Sequence, residues 1–225
     1  MSELLEEVFS IYPARPNVAI LMSGSGSNAQ NLLTNPEVRD HYDITTIVTD
    51  NKNSNAIHFA EEYGLAYVER HIDKFRSKEE REVYFDKLSA TLGSLGVSAA
   101  FYAGFMKVSS EAFARNFPGV NVHPADLTIV DENGIAIHRG MHALSTMRKQ
   151  TNGLLAASVH VVDNPVDTGS VFAVSDSIAC ESNLSDQECH RLLQVREHVV
   201  YPAALVGIAN GTLKRENMPV MESEL

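Results

Sequence analysis

The sequence contains no tryptophan, only two cysteines, and far fewer basic than acidic residues. Its 18 Lys and Arg side chains against 29 Asp and Glu give a formal net charge of -11 at pH 7. This charge argues against non-specific binding to nucleic acid or to anionic membranes. Cys180 and Cys189 are too few for a disulfide framework, and we expect them to be reduced thiols. No apolar run approaches the length of a membrane span, so no membrane partner is expected.

The first 16 residues predict a short helical extension that precedes the main fold. Their apolar side chains fall on one face of a helix: Leu4, Leu5, Val8, Phe9 and Tyr12. The segment is acidic and lacks a basic region followed by an apolar core, which is not the pattern of a signal peptide. We therefore expect a cytoplasmic protein.

Short apolar runs alternate with amphipathic segments over the rest of the chain. Runs such as Asn17–Met22 are typical of strands buried on both faces, and Ser77–Leu92 is typical of a helix. This alternation predicts an α/β fold with a doubly wound, mostly parallel, Rossmann-like sheet and helices on both faces. Leu154–Val162 and Ser170–Ile178 flank a turn, so we expect the sheet to be mixed at its C-terminal end. Since no linker or repeat interrupts the pattern, residues 17–225 are expected to form one domain.

A glycine-rich loop, Ser23–Asn28, follows the first predicted strand and precedes a helix. Backbone N–H groups and the helix dipole can bind an anion there, although a ligand-free turn would have the same sequence. The loop also satisfies the dinucleotide pattern G-x-G-x-x-[G/A], and Asp50 ends the second strand, where a ribose-binding acid belongs. The loop alone leaves a phosphorylated metabolite and a nicotinamide cofactor equally open.

Two polar side chains, Asn121 and His123, end the predicted strand Gly119–His123. Alternation along a strand directs both to the same side, and Asp167 follows in a later turn. An amide, an imidazole and a carboxylate can together stabilise an oxyanion and move a proton, although strand-end polar groups can also be purely structural. The other histidines, His160 among them, are expected to be structural or solvated. No His-x-x-x-His spacing with a third ligand occurs, so no metal is expected.

Five motifs occur in a fixed order over about residues 17–213: Ser23–Asn28, Ala103–Val108, Asn121–Pro124, Ser158–Val162 with Asp167–Gly169, and Glu197–Pro202. Together they resemble the phosphoribosylglycinamide (GAR) formyltransferase family. This resemblance implies transfer of a formyl group from 10-formyltetrahydrofolate to the amine of 5'-phosphoribosylglycinamide, in de novo purine biosynthesis and without a metal. The implied partners are small molecules, and the sequence leaves open whether the chain forms a homodimer.

The resemblance also implies roles for individual residues. Asn121, His123 and Asp167 match the catalytic residues of the family. The matches on the substrate side are Gly26, Ser27 and Asn28 for the phosphate, and Glu197 for the ribose. The matches on the folate side are Arg81, Met106, Lys107, Val108, Ser109 and Asn121, with Asn164–Gly169 as the other wall.

The chain departs from the family pattern beside the predicted site. Extra residues at about 125–138 follow His123-Pro124, and Lys107 stands where the family usually has Arg. The catalytic residues are all present, so the departures bear on the amine acceptor, which could instead be a sugar-nucleotide amine. Water as acceptor usually requires a further N-terminal domain, and transfer RNA is disfavoured by the acidic charge. A nicotinamide-dependent oxidoreductase would leave Asn121, His123 and Asp167 unexplained, and a binding module without catalysis would require the loss of one of them.

Overall fold

Strands and helices alternate along the computed structural model, which describes residues 15–213. The strands are β1 (Asn17–Met22), β2 (Asp43–Thr49), β3 (Ala66–Glu69), β4 (Ala99–Tyr102), β5 (Gly119–His123), β6 (Leu154–Leu155), β7 (Ser158–Val161), β8 (Val171–Val174) and β9 (Ile178–Ala179). The helices are α1 (Ser27–Thr34), α2 (Pro36–His41), α3 (Ala56–Tyr63), α4 (Lys78–Ser94), α5 (Glu111–Asn116), α6 (Ala143–Gln150) and α7 (Asp186–Ala209). Among these seven helices, none is both long and apolar enough to cross a membrane.

The main sheet has seven strands in the order β3-β2-β1-β4-β5-β7-β8. Strand β1 is parallel to β2 and β4, β2 is parallel to β3, and β7 pairs antiparallel with β8. The prediction of a mostly parallel α/β sheet, flanked by helices and mixed at its C-terminal end, is confirmed. Strands β6 and β9 form a separate antiparallel pair. Each of the two predicted C-terminal strands is thus divided between two sheets, because an apolar run does not specify which strand it pairs with.

The chain divides into two compact units, Met1–Val120 and Asn121–Leu225. In the first unit, β1 has neighbours on both edges, and all its residues from Val18 to Met22 are completely buried. This burial explains why its sequence shows no polar alternation. The prediction of one domain over 17–225 stays a prediction. The helix predicted in the N-terminal extension lies outside the described residues, which include only Arg15 and Pro16 of that segment.

Helix α7 forms much of the core of the second unit. It begins at a capping box, in which the Ser185 side chain accepts from the Glu188 N–H and the Glu188 carboxylate accepts from Ser185. A disulfide joins Cys180, just after β9, to Cys189 in the first turns of α7, with Cα atoms 5.5 Å apart. The structure therefore contradicts the prediction of two separate thiols: nine residues of intervening chain turn back and bring the two positions together.

The extra residues after Pro124 fold into a hairpin, residues 129–137. Val130 and Ala136 form an antiparallel bridge, and the Asp131 N–H donates to the Ile135 carbonyl at 2.9 Å. The Asp131 side chain closes the turn by accepting from the Asn133 and Ile135 N–H groups. Residues 131–134 form the turn, and the hairpin returns the chain to His138.

Candidate active site

The end of β5 presents Asn121 and His123 in the second unit, and His123 is almost completely buried. Nε2 of His123 lies 2.8 Å from the carbonyl oxygen of His138. Because a carbonyl can only accept, this contact places a hydrogen on Nε2 and turns Nδ1 towards Asp167. The Nδ1 atom of His123 lies 3.5 Å from Asp167 Oδ2.

Asp167 is held by the loop between β7 and β8. Its backbone φ of 54° lies in the left-handed region, which is uncommon for a residue with a side chain and occurs often at functional sites. The Gly140 N–H donates to Oδ2 at 2.8 Å and fixes the carboxylate. Two residues later the loop runs against β7 so closely that a Cβ atom on Gly169 would lie 1.9 Å from the Val161 carbonyl oxygen. Only glycine fits this approach.

His160 is the residue of this site that the sequence did not predict. On β7 it is completely buried, and its Nδ1 lies 2.8 Å from the Val161 carbonyl oxygen. That contact places the hydrogen on Nδ1, so Nε2 accepts from the Asn121 amide at 3.0 Å. The same Nε2 lies 3.5 Å from Asp167 Oδ1. His160 thus contacts Asn121 and Asp167 at once, which a single histidine in an apolar run does not reveal.

Burial keeps His160 neutral. It lowers the pKa of the imidazole to about 4, against an opposing effect of the Asp167 carboxylate. A neutral His160 can accept from Asn121, and the contact orients the amide of Asn121. The cluster therefore combines a hydrogen-bond donor, an imidazole that faces a carboxylate, and a neutral imidazole that positions the donor.

The predicted phosphate loop lies in the first unit. Gly26 precedes α1 with a φ of 78°, and a Cβ atom there would lie 2.6 Å from the side chains of both Met22 and Phe59. As the N-cap residue, Gly26 makes no side-chain cap hydrogen bond. Ser27 begins the helix and is half-buried, and Asn28 is buried. Backbone N–H groups at a helix N-terminus are of the kind that bind anions.

The predicted folate segment, Met106–Ser109, follows β4 and contacts the loop after β1. The Met106 N–H donates to Ser23 Oγ at 2.8 Å. Met106 and Val108 expose large apolar side chains, whereas Ser109 is buried and bonded to the Tyr102 hydroxyl at 2.7 Å. The segment therefore presents apolar surface on a backbone that the first unit holds in place.

Asp50 is buried and already has charged and polar partners. Its carboxylate accepts from the Ser23 hydroxyl and lies 2.9 Å from Lys107 Nζ, which also donates to the Asp73 carbonyl. An acid that recognises the ribose of a dinucleotide must offer its carboxylate to the ligand. The contacts of Asp50 with Ser23 and Lys107 disfavour the dinucleotide interpretation of the glycine-rich loop.

Two predicted site residues lie apart from these groups in sequence. Glu197 is buried in the middle of α7, and its Oε1 lies 3.7 Å from His190 Nε2. The contact raises the pKa of His190, against the effect of partial burial. Arg81 lies on α4, partly buried, with its guanidinium 3.7 Å from the Glu82 carboxylate.

The structure thus places the predicted residues in two sets. The first unit contains Gly26, Ser27, Asn28, Arg81, Met106, Lys107, Val108 and Ser109. The second unit contains Asn121, His123, Asp167 and Glu197. Within the second set, the structure brings Asn121, His123 and Asp167 together around His160.

Two curated proteins illustrate the likeness in sequence. The trifunctional purine biosynthetic protein adenosine-3 of Drosophila melanogaster is 31% identical over 206 residues, which cover 88% of this chain and 14% of that protein. Phosphoribosylglycinamide formyltransferase of Escherichia coli (strain K12) is 25% identical over 201 residues, covering 88% of this chain and 89% of that protein. The chain spans only 14% to 20% of the length of the trifunctional relatives from Drosophila melanogaster and Bos taurus.

Solved structures share the fold. Glycinamide ribonucleotide transformylase 1 from Symbiobacterium toebii superposes with a TM-score of 0.74 at 20% identity, covering 89% of this chain and 90% of that one. Phosphoribosylglycinamide formyltransferase from Bacillus halodurans gives a TM-score of 0.73 at 21% identity, with 87% and 96% covered. At these identities the likeness shows the fold alone.

The family comparison covers both of the compact units. Residues 16–205 match the formyl transferase family, and this range includes the glycine-rich loop, the segment after β4 and the Asn121–His123–Asp167 cluster. On this match, which covers most of its length, the chain belongs to the formyl transferase family.

Proposed function

We propose that this protein transfers the formyl group of 10-formyltetrahydrofolate to the amine of 5'-phosphoribosylglycinamide in de novo purine biosynthesis. The observation that carries the proposal is the cluster of Asn121, His123 and Asp167, with His123 Nδ1 3.5 Å from the carboxylate. The names of the relatives from Drosophila melanogaster and Escherichia coli support the reaction and its place in metabolism. In this proposal residues 17–225 act as one formyltransferase domain on small molecules in the cytoplasm, without a metal cofactor.

The folate cosubstrate supplies the formyl carbon that the amine attacks. The exposed apolar side chains of Met106 and Val108 suit a flat heterocyclic ring, and the Arg81 cation suits the carboxylates of the folate tail. By the family resemblance, the segment of Lys107 and Ser109 and the loop 164–169 are assigned to binding of the ring. The residue types present therefore fit this group.

Asn121 stabilises the negative charge that develops on the formyl oxygen. An amide nitrogen carries two hydrogens, so Asn121 can donate one to His160 and the other to the oxyanion. Because His160 already orients the amide, little reorganisation is needed when the charge forms. One such donor contributes about 3–4 kcal/mol to transition-state stabilisation.

His123 and Asp167 share the proton chemistry. With Nε2 donating to the His138 carbonyl, a second proton on Nδ1 makes His123 an imidazolium 3.5 Å from the Asp167 carboxylate. The cation stabilises the oxyanion, and Asp167 accepts, through a water, the proton that the amine loses. When the oxyanion collapses, the bond between the formyl carbon and the folate nitrogen breaks, and that nitrogen takes up a proton as tetrahydrofolate leaves. General acid–base assistance of this kind accelerates a reaction by roughly 10²–10⁴-fold.

The remaining residues position the nucleotide. Gly26, Ser27 and Asn28 bind its phosphate at the N-terminus of α1, and Glu197 binds the ribose hydroxyls. Binding of the phosphate and of the ribose restricts the motion of the acceptor and supplies a proximity effect. Because Glu197 is buried, its ribose contact would be well shielded from water.

The hairpin 129–137 is the reason to test a second acceptor, a sugar-nucleotide amine. It lies where the family has a short loop, and it leads to His138, whose carbonyl holds His123. A panel of acceptors therefore tests the proposal: GAR, an amino-sugar nucleotide, and buffer alone, each with 10-formyltetrahydrofolate, followed by absorbance of the released folate. We expect turnover with GAR only. Turnover with the sugar nucleotide alone would assign the other acceptor, and turnover in buffer would indicate a hydrolase.

A further inference from the structure

We propose that His123, His160 and Asp167 also form a binding site for a divalent transition metal, best suited to Zn²⁺, and that the bound ion inhibits the enzyme. One ligand atom from each residue lies within 4.8 Å of the other two. The two histidines are buried, and the carboxylate of Asp167 is nearly so. The proposal does not make zinc a cofactor, since the chemistry proposed above needs none.

Both imidazole rings are oriented as metal ligands are. His123 donates from Nε2 to the His138 carbonyl, and His160 donates from Nδ1 to the Val161 carbonyl, each at 2.8 Å. These far-side bonds make His123 Nδ1 and His160 Nε2 the acceptor atoms on the side of the Asp167 carboxylate. Because His160 Nε2 accepts from the Asn121 amide, a metal ion bound there would displace that amide. Histidines that bind metals usually donate their other N–H to a carbonyl or carboxylate in this way.

Two of the distances between the ligand groups are close to those of tetrahedral coordination. His123 Nδ1 lies 3.5 Å from Asp167 Oδ2, and His160 Nε2 lies 3.5 Å from Asp167 Oδ1. Zinc bonds of about 2.0–2.2 Å to nitrogen and oxygen place neighbouring tetrahedral ligands about 3.4 Å apart. Because the three ligand atoms lie within 4.8 Å of one another, side-chain adjustment can bring them onto one ion, and the Gly140 N–H holds the Asp167 carboxylate.

The donor set selects the class of ion. Two neutral imidazoles and one carboxylate suit zinc and its first-row neighbours, whereas Mg²⁺ and Ca²⁺ require oxygen ligands. Three protein ligands leave a fourth position for water.

Inhibition follows from the shared atom. Zinc on His123 Nδ1 would occupy the position at which the proposed reaction holds a proton, so the metal and the proton exclude each other. This step depends on the proposed function, whereas metal binding does not. The site could not be predicted from the sequence, because its ligands are 37 and 7 residues apart rather than in a His-x-x-x-His pattern.

Metal binding is tested on the whole protein, stripped with a chelator and then dialysed. We expect calorimetric titration with ZnCl₂ to show one bound ion, and CoCl₂ to give the visible absorption bands of tetrahedral cobalt. In Asp167→Asn and His160→Ala, affinity should fall at least about tenfold, since even second-shell losses cost that much. His142→Ala, which removes an exposed histidine in the same unit, should bind as the wild type does.

The outcomes separate the two proposals. Absence of stoichiometric binding, or unchanged binding in folded Asp167→Asn and His160→Ala, overturns the metal site. If zinc binds and a chelator-reversible loss of formyl transfer accompanies it, both parts of the inference hold. If zinc binds but formyl transfer is not inhibited, the proposal of inhibition is wrong and the metal site stands. Should the protein transfer no formyl group at all, the binding titration still decides the metal site.

Discussion

Asp167 Oδ2 lies 3.5 Å from His123 Nδ1, and the same oxygen accepts from the Gly140 N–H at 2.8 Å. The carboxylate is thus fixed on the side of the imidazole that must gain a proton. Replacing Asp167 by Asn keeps the shape but removes the charge and the proton acceptor.

For Asp167→Asn we expect kcat to fall by roughly 10²–10⁴-fold, the range of general acid–base assistance. Steady-state formyl transfer with GAR, together with circular dichroism of the folded variant, measures this. Asp40→Asn, at an exposed acid in the first unit, is the matched control and should retain wild-type kcat. A folded Asp167→Asn enzyme with undiminished kcat would contradict the assigned role.

Asn121→Ala removes the proposed oxyanion donor. We expect a loss of about 3–4 kcal/mol of transition-state stabilisation, seen in kcat with little change in KM for GAR. His160→Gln keeps an acceptor near the Asn121 amide and should lose less of kcat than Asn121→Ala. If Asn121→Ala instead raised KM for GAR as much as it lowered kcat, the residue would have a role in binding.

The stability of the protein should depend on pH through His160. Burial lowers the pKa of His160 to about 4, whereas an unfolded histidine titrates near 6.5. Between these values the unfolded chain takes up a proton that the folded protein does not. The free energy of unfolding should therefore fall as the pH is lowered from about 6.5 to about 4.

Urea unfolding of the wild type and of His160→Gln at several pH values in this range measures the effect. Because glutamine does not titrate, the variant should show a shallower pH dependence than the wild type. If the free energy of unfolding depended on pH with the same slope in both proteins, His160 would not be the cause of the pH dependence.

The Asp50–Lys107 pair should be important for folding. Both side chains are largely buried, and the carboxylate also accepts from Ser23. Since removing one partner leaves a buried charge alone, Asp50→Ala should cost about 3–5 kcal/mol of unfolding free energy. Glu111→Ala breaks the exposed pair with Arg115 and should cost less than about 1 kcal/mol in the same denaturation experiment. Comparable losses in both variants would contradict the assigned importance of burial.

Gly169→Ala should destabilise the loop that carries Asp167. The new Cβ atom would lie 1.9 Å from the Val161 carbonyl oxygen, so backbone must move. Overpacking of this kind costs roughly 1–3 kcal/mol. Gly93→Ala, on α4 with open space around it, should instead be neutral or stabilise by up to about 1 kcal/mol. Thermal denaturation of the two variants, Gly169→Ala and Gly93→Ala, distinguishes a steric effect from a general effect of an added methyl group.

Strong local signals predicted much of the fold. Strands β1, β2 and β5 begin and end where the apolar runs do, and the capping box at Ser185 marks the start of α7. Helix α2 was missed although Asn35 caps it and Pro36 occupies its first turn, because six residues are too few for a clear apolar period. The division of the C-terminal runs between two sheets depends on strand pairing, which the local pattern does not contain.

The candidate site was predictable to the extent that its residues end strands. Asn121 and His123 follow from the alternation along β5. The place of Asp167 beside His123 came only from the family resemblance. His160 was missed since its contacts with Asn121 and Asp167 are long-range, and a buried histidine on an apolar strand has no distinguishing local pattern. The disulfide between Cys180 and Cys189 depends on how α7 packs beside β9 and was missed for the same reason.

The central claim is that the formyl group reaches the amine of GAR. The most direct measurement incubates the protein with 10-formyltetrahydrofolate carrying an isotopically labelled formyl carbon and with GAR, and then identifies the labelled product by mass spectrometry. We expect label in formyl-GAR with the wild type and nearly none with folded Asp167→Asn. Label that remains on the folate, or that appears as free formate with the wild type, would contradict it.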